Sequence, residues 1–298
     1  MNSPALKSSS LTPIDAAIGL FIAVLWGLNY VAIKISVIHF PPIYASGLRF
    51  ALVAAILIWF TKPPIGNFIP VFMISVVLGT LHFIFVFTGL TGVDPSVSSI
   101  ILQLGTPFSA LMAWLMLNDA FGWRRTIGML IAFGGVAIVA GEPSVSSSLF
   151  HVVLCLGAAV CWGLSNILIK KLDGVGPIQL NAWMALFAAP QLFIVSALME
   201  EGQWAATKSA GMTEWASIVF MAVGASAIAY GLWYHLMNKY EVSRIVGINL
   251  MPPVFAALSS AWLLGEVLGW EKIVGGLLTL FGVAVIQIRW NRVAGPVE

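Results

Sequence analysis

Ten apolar runs, each about 20 residues long and separated by short polar or Gly/Pro-rich joints, fill almost the whole of this 298-residue chain. They fall near residues 14–35, 42–60, 68–90, 95–117, 123–140, 149–170, 177–199, 215–238, 242–264 and 270–290. A run of that length matches the hydrocarbon thickness of a bilayer when helical. Charged residues make up 9% of the chain, against about 25% in soluble domains, and hydrophobic residues 60%. A water-soluble fold has too little polar surface to cover such a composition. The expected fold is therefore all-α: a polytopic membrane protein of ten transmembrane helices in contact with the lipid bilayer. The first run is longer than the 7–15-residue core of a signal peptide and has no small-residue cleavage site after it, so it reads as a retained span.

The ten runs are two copies of five. Trp26-Gly27-Leu28, with Lys34 after it, recurs as Trp162-Gly163-Leu164 with Lys170, and Gln103 four residues before Pro107 recurs as Asn249 before Pro253. An odd number of spans per copy forces the second to enter from the opposite face, which makes the halves inverted repeats: 1–143 and 144–298, joined by the polar loop 142–148. Lys and Arg concentrate on the side of the two termini. The exceptions are Lys34, Lys208, Lys272 and, inside the second span, Arg49. The positive-inside rule then puts both termini in the cytoplasm.

Paired interruptions at matching places in two hydrophobic halves are the best sequence pointer to a transporter's binding site. Proline has no N–H to give the carbonyl four residues back, so Pro107 deprives Gln103 and Pro253 deprives Asn249. Both deprived residues also carry side-chain amides. In lipid such a concentration of polar groups is tolerated where it lines protein or a wet cavity. Ser96, Ser99, Gln103, Thr106 and Ala110 give the fourth span one small, polar face, and Ser243, Asn249, Pro253 and Ala256 repeat it in the ninth. The alternative for these faces is helix–helix adhesion.

Other candidates follow from helical spacing. Trp26 and Asn29 share a face in the first span; Trp162 and Ser165 share one in the sixth, with Asn166 adjacent. His82 lies on a face with Gly79, Phe83 and Val86, and Tyr230 and Tyr234 on an aromatic face with Ser226, Trp233 and Met237. The substrate-contact set is thus Trp26, Asn29, His82, Gln103, Trp162, Asn166, Tyr230, Tyr234 and Asn249, with Pro107 and Pro253 as helix breaks. Arg49 either snorkels outward, the preferred reading, or faces inward and attracts a carboxylate. Asp15, Asp94, Asp119, Glu241 and Glu266 sit at span ends and read as solvated. Small-residue faces on the fifth span (Gly128, Ala132, Gly135) and the tenth (Gly275, Thr279, Gly282) suit close helix packing or a homodimer contact, not substrate.

In these residues the chain resembles the drug/metabolite transporter superfamily, and within it the ten-helix EamA-type exporters, over about residues 14–290. The marks are Trp26 to Asn29, Leu48-Arg49-Phe50, Pro107, Trp162 to Ser165, and Pro253 followed by Leu264-Gly265-Glu266, with Asn118-Asp119 in place of the last pair in the first copy. The resemblance implies a bacterial inner-membrane carrier that moves small organic metabolites outward through a central cavity, amino acids including aromatic ones being the leading class. A multidrug or cationic-compound exporter is the alternative, followed by a channel or a membrane scaffold. The four-helix multidrug relatives carry a glutamate within the first span; here that span has no acid beyond Asp15 at its mouth. Facilitated flux, or weak proton coupling through His82, is the expectation.

Other classes lack their residues. No HExxH, GxSxG or paired mid-membrane aspartates are present for an intramembrane enzyme, and no GxxxxGK(S/T) loop for a nucleotide-driven pump. A net charge of +2 without a basic patch gives nucleic acid nothing to hold. Cys155 and Cys161 form no CxxC pair or disulfide framework and read as small buried hydrophobes. No cofactor or metal is expected.

Overall fold

The computed structural model describes residues 12–117, 122–142, 148–240 and 245–287. Ten helices long and apolar enough to cross a membrane account for nearly all of them: α1 (Pro13–His39), α2 (Pro42–Phe60), α3 (Phe68–Gly92), α4 (Pro95–Leu117), α5 (Trp123–Ala140), α6 (Leu149–Lys170), α7 (Pro177–Met199), α8 (Met212–Lys239), α9 (Gly247–Leu264) and α10 (Trp270–Gln287). No strand occurs among the described residues. The protein is a multi-pass helical membrane protein. Lys7, Asn118, Asp119, Glu241, Ser243, Arg244, Arg289, Arg292 and most of the 142–148 loop lie outside the described residues.

Local chemistry sets the helix ends. Pro13, Pro42, Pro95 and Pro177 each occupy a first turn, where proline's missing N–H costs nothing and its fixed φ suits the helix. Thr12 caps α1 by accepting from the Asp15 N–H. Helix α1 stops at Phe40, which is extended because Pro41 follows. Helix α9 ends on Gly265 at φ 69°, a conformation that glycine enters without strain.

The packing obeys the duplication. Helix α1 packs on α9 and α8, while its counterpart α6 packs on α4 and α3; α3 meets α7 and α8 meets α2; α2–α7 and α5–α10 pair with their own counterparts. Although α1 also packs on α3 and α4, where α6 makes no comparable approach to α8 and α9, exchanging the two halves maps these contacts onto one another. The glycine of each Trp-Gly-Leu motif makes this possible. A Cβ on Gly27 would come within 2.9 Å of Pro252 O and Ala256 N in α9, and one on Gly163 within 2.9 Å of Phe108 C and Ser109 N in α4. Each motif thus presses its backbone onto the segment that follows the partner's broken turn.

Helices α5 and α10 meet through their small faces. Gly135 lies against Gly275 and Thr279, and Gly128 against Gly282 and Ile286. Thr279 Oγ1 donates to Gly275 O at 2.8 Å, within its own helix. These faces are covered by each other inside one chain, so the scaffolding role is the one they fill. Introducing Leu at Gly275, where a Cβ would lie 2.5 Å from Gly135 O, should cost about 1–3 kcal/mol through overpacking. The melting temperature in detergent measures it, with Gly134→Leu as control, because nothing lies within 4 Å of a Cβ there.

Candidate functional site

Besides the 3₁₀ turn over Ile58–Phe60 that closes α2, four spans depart from regular α-helix, and all four border one chamber. In α4 the helix runs to Leu102, turns at Gln103 and Leu104, and resumes at Gly105. In α9 a 3₁₀ turn over Val246–Leu250 precedes the α-helix that begins at Pro252. Helices α3 and α8 each widen into π-helix, over Ser75–His82 and Phe220–Ile228. Wide turns of this kind recur at functional sites because they redirect side chains and loosen the backbone ladder.

One break is satisfied within its own helix and the other across the two halves. The Gln103 carbonyl, denied a donor by Pro107, accepts from the Thr106 N–H at 3.1 Å. The Asn249 carbonyl, denied one by Pro253, accepts from Gln103 Nε2 at 2.9 Å. One side chain of the first half therefore repairs the backbone of the second.

Around this bond lies a chamber of about 250 Å³. That is just under the roughly 300–1,000 Å³ of drug-sized ligand pockets and suits a small metabolite. Of the residues expected from sequence, Trp26, Asn29, His82, Gln103, Trp162, Tyr230, Asn249 and Pro253 lie on its wall. Three do not. Asn166 faces α4, where its Nδ2 donates to Ser109 Oγ at 2.9 Å, so it joins helices. Tyr234 stacks beside Tyr230 with ring centroids 6.0 Å apart, one turn off the wall. Pro107 is buried in the helix it interrupts.

The wall groups are tightly placed. Trp26 Nε1 donates to Ala225 O in the π-segment of α8 at 3.3 Å, and its ring lies 5.6 Å from Tyr230 and 5.7 Å from Trp233. His82 Nδ1 is 2.8 Å from Ala158 O, an acceptor, so that nitrogen carries a proton. Its ring lies 5.6 Å from Trp162.

A family scan agrees with this architecture: the EamA-like transporter family matches residues 15–141 and again residues 149–288. The chain belongs to the EamA-like transporter family. Among its relatives are a "probable amino-acid metabolite efflux pump" of Salmonella typhimurium, 30% identical and covering 94% of this chain and 97% of the relative, and one of the same description in Escherichia coli, 27% identical over 93% and 97%. A solved crystal structure with TM-score 0.61 and 18% identity covers 92% of this chain and 96% of its own, and shares the fold.

In this EamA-like chain several charged groups depart from the sequence expectation. Arg49 does not snorkel: it is 4% exposed and lines the chamber, with Nη2 donating to Ser226 Oγ at 3.0 Å. The π-segment of α8 supplies that hydroxyl, which itself donates to Met221 O five residues back at 2.8 Å. Gln287, on a helix read as pure scaffold, reaches the chamber as well and contacts Thr106 Oγ1 at 3.4 Å. Asp15 is not solvated: Lys239 Nζ at 2.6 Å, Tyr240 OH at 2.7 Å and Thr12 Oγ1 at 2.6 Å surround its carboxylate. Glu266 is buried too, with Ser96 Oγ and with Lys272 Nζ at 3.1 Å, which also meets Asp94 at 2.8 Å. Three crossings separate the start of α1 from that of α4, so the two ion clusters lie on opposite faces.

The inter-break bond predicts a split between its two residues. Gln103→Ala leaves the Asn249 carbonyl without its donor and should cost about 1–3 kcal/mol, read as a lowered melting temperature. Asn249→Ala keeps that main-chain acceptor and should leave the melting temperature within a degree or two.

Proposed function

We propose that the protein exports small organic metabolites, amino acids including aromatic ones foremost, by alternating access through the chamber between its two halves. One observation carries the reading: the only segments that depart from α-helix within the described spans α3, α4, α8 and α9 converge on a single cavity walled by both repeats. The printed descriptions of two relatives, covered almost end to end, favour the amino-acid class.

In this reading the wall divides its work. Gln103, Asn29 and Asn249 present amides to the polar part of a substrate, and Trp26, Trp162 and Tyr230 offer ring faces to an apolar or aromatic side chain. Two inverted halves can exchange conformations, opening the site to either side in turn. The ion clusters on the two faces act as latches: Asp15 with Lys239 and Tyr240 ties α1 to α8, and Lys272 with Asp94 and Glu266 ties α10 to the entry of α4 and the end of α9. The positive-inside distribution supports both termini in the cytoplasm, and the family resemblance supports a bacterial inner membrane.

A cation exporter fits the wall poorly. No Asp or Glu lies among the chamber's described lining residues, whereas Arg49 does. With no carboxylate among the described wall residues, the reading is facilitated flux down the substrate gradient, with His82 as the wall group that weak proton coupling would use.

Counterflow in proteoliposomes against a panel of amino acids and small aromatic cations tests the function. The expected result is saturable, stereoselective exchange of amino acids that needs no pH gradient. Uphill accumulation driven by a pH gradient rejects the facilitator, and non-saturable flux rejects the carrier.

A further inference from the structure

Among the described lining residues of the chamber, Arg49 is the one side chain that bears a permanent charge. Its guanidinium has five N–H donors. One bond, Nη2 to Ser226 Oγ, is made; Nε and Nη1 are buried and have no partner. The remaining support is aromatic: Cζ lies 4.6 Å from the ring centroid of Phe83 and 5.7 Å from that of Phe50. Glu200, which packs at the start of α2, uses both carboxylate oxygens to accept from the Ile43 and Tyr44 N–H groups at 2.8 and 2.9 Å.

A buried cation without a counter-charge is costly, and an apolar residue of the same volume would serve packing better. Two further wall atoms are buried without partners, Asn29 Oδ1 and Gln287 Oε1, and both are acceptors. The unmet groups of the chamber are thus N–H donors on a cation and oxygens elsewhere on the wall. An α-amino acid zwitterion is the complement of that set: its carboxylate takes the donors, and its ammonium serves the oxygens.

Resting on the transport reading above, we propose that Arg49 is the carboxylate anchor of the chamber. The substrate's carboxylate meets the guanidinium from the chamber side as the fork turns on the face of Phe83, and its ammonium donates to Asn29 Oδ1. Ser226 holds the fork through Nη2, so the π-segment of α8 is coupled to whatever occupies the site.

The test pairs each amino acid that exchanges in the counterflow panel with its carboxamide and its decarboxylated amine, for instance phenylalanine with phenylalaninamide and phenethylamine, as competitors. Wild type should bind the acid at least about tenfold better than either analogue, because a site built for a charged partner penalises its loss. Arg49→Met should abolish that preference while holding or raising the melting temperature; Arg49→Lys should keep a reduced preference. A purely structural Arg49 moves the melting temperature and not the acid-to-amide ratio. Equal competition by acid and amide in wild type overturns the anchor alone, with no variant needed, and leaves the carrier intact. A preference that persists in Arg49→Met also overturns it. Exchange of no amino acid at all brings down the transport reading and the anchor with it.

Discussion

The hydrogen bond from Gln103 Nε2 to the Asn249 carbonyl is the contact on which the chamber depends. A membrane helix is stable because each carbonyl finds its donor one turn on, and lipid supplies no substitute. Pro253 removes one such donor. The donor that repairs the Gln103 carbonyl locally, Thr106 N–H, has Pro252 as its counterpart in α9, which also lacks an N–H, and the repair comes instead from the corresponding helix of the first half. The break in α9 is thus stable only where α4 brings Gln103 to it. The two halves are held in register at the depth where both helices are interrupted.

Proline alone does not create that situation. Pro190 stands inside α7, and α7 is continuous from Pro177 to Met199. Pro190 is exposed beside a shallow groove of alanines between α2 and α7, with no amide placed to meet a stray carbonyl. At Pro107 and Pro253 the residue four back carries an amide and the flanking helix offers the Trp-Gly backbone at contact distance. The difference between a tolerated proline and an interrupted helix lies in what the neighbours offer.

That distinction marks how much was legible in the sequence. Span positions, the duplication, the family and the Gln/Pro and Asn/Pro pairs follow from patterns within about 20 residues or from comparing one half with the other. The π-segments of α3 and α8 do not, because Ser75–His82 and Phe220–Ile228 have no proline and an ordinary apolar composition. The widening is imposed by packing, as where Gly79 admits Ala188. Arg49 was misread for a related reason: a helical rise gives depth but not facing, and its partner Ser226 is 177 residues away. Asp15 and Glu266 looked solvated because span ends usually are; Lys239 lies 224 residues from Asp15. One signal was available. Counting from the proline that opens each span, Arg49 of α2 corresponds to Met184 of α7, and a charge retained in only one copy of a duplicated membrane helix needs a reason.

That asymmetry gives the chamber a direction. Arg49, His82, Asn29, Gln103 and Thr106 come from the first half, while the second contributes Tyr230, Trp233, Trp162 and the two prolines Pro252 and Pro253, with Asn249 and Gln287 as its polar groups. Under the transport proposal, the matching packing of α1 on α8 and α9 and of α6 on α3 and α4 suits an interchange of the two halves. Under the proposed anchor, a small solute lies with its carboxylate toward Arg49 of α2. Both halves offer aromatic groups, Trp26, Tyr30 and Phe83 from the first and Trp162, Tyr230 and Trp233 from the second. The scaffold can remain twofold because backbone approach through Gly27 and Gly163 sets it, and neither glycine contributes a side chain to the wall. Specificity could diverge between the copies without disturbing the packing on which the interchange relies.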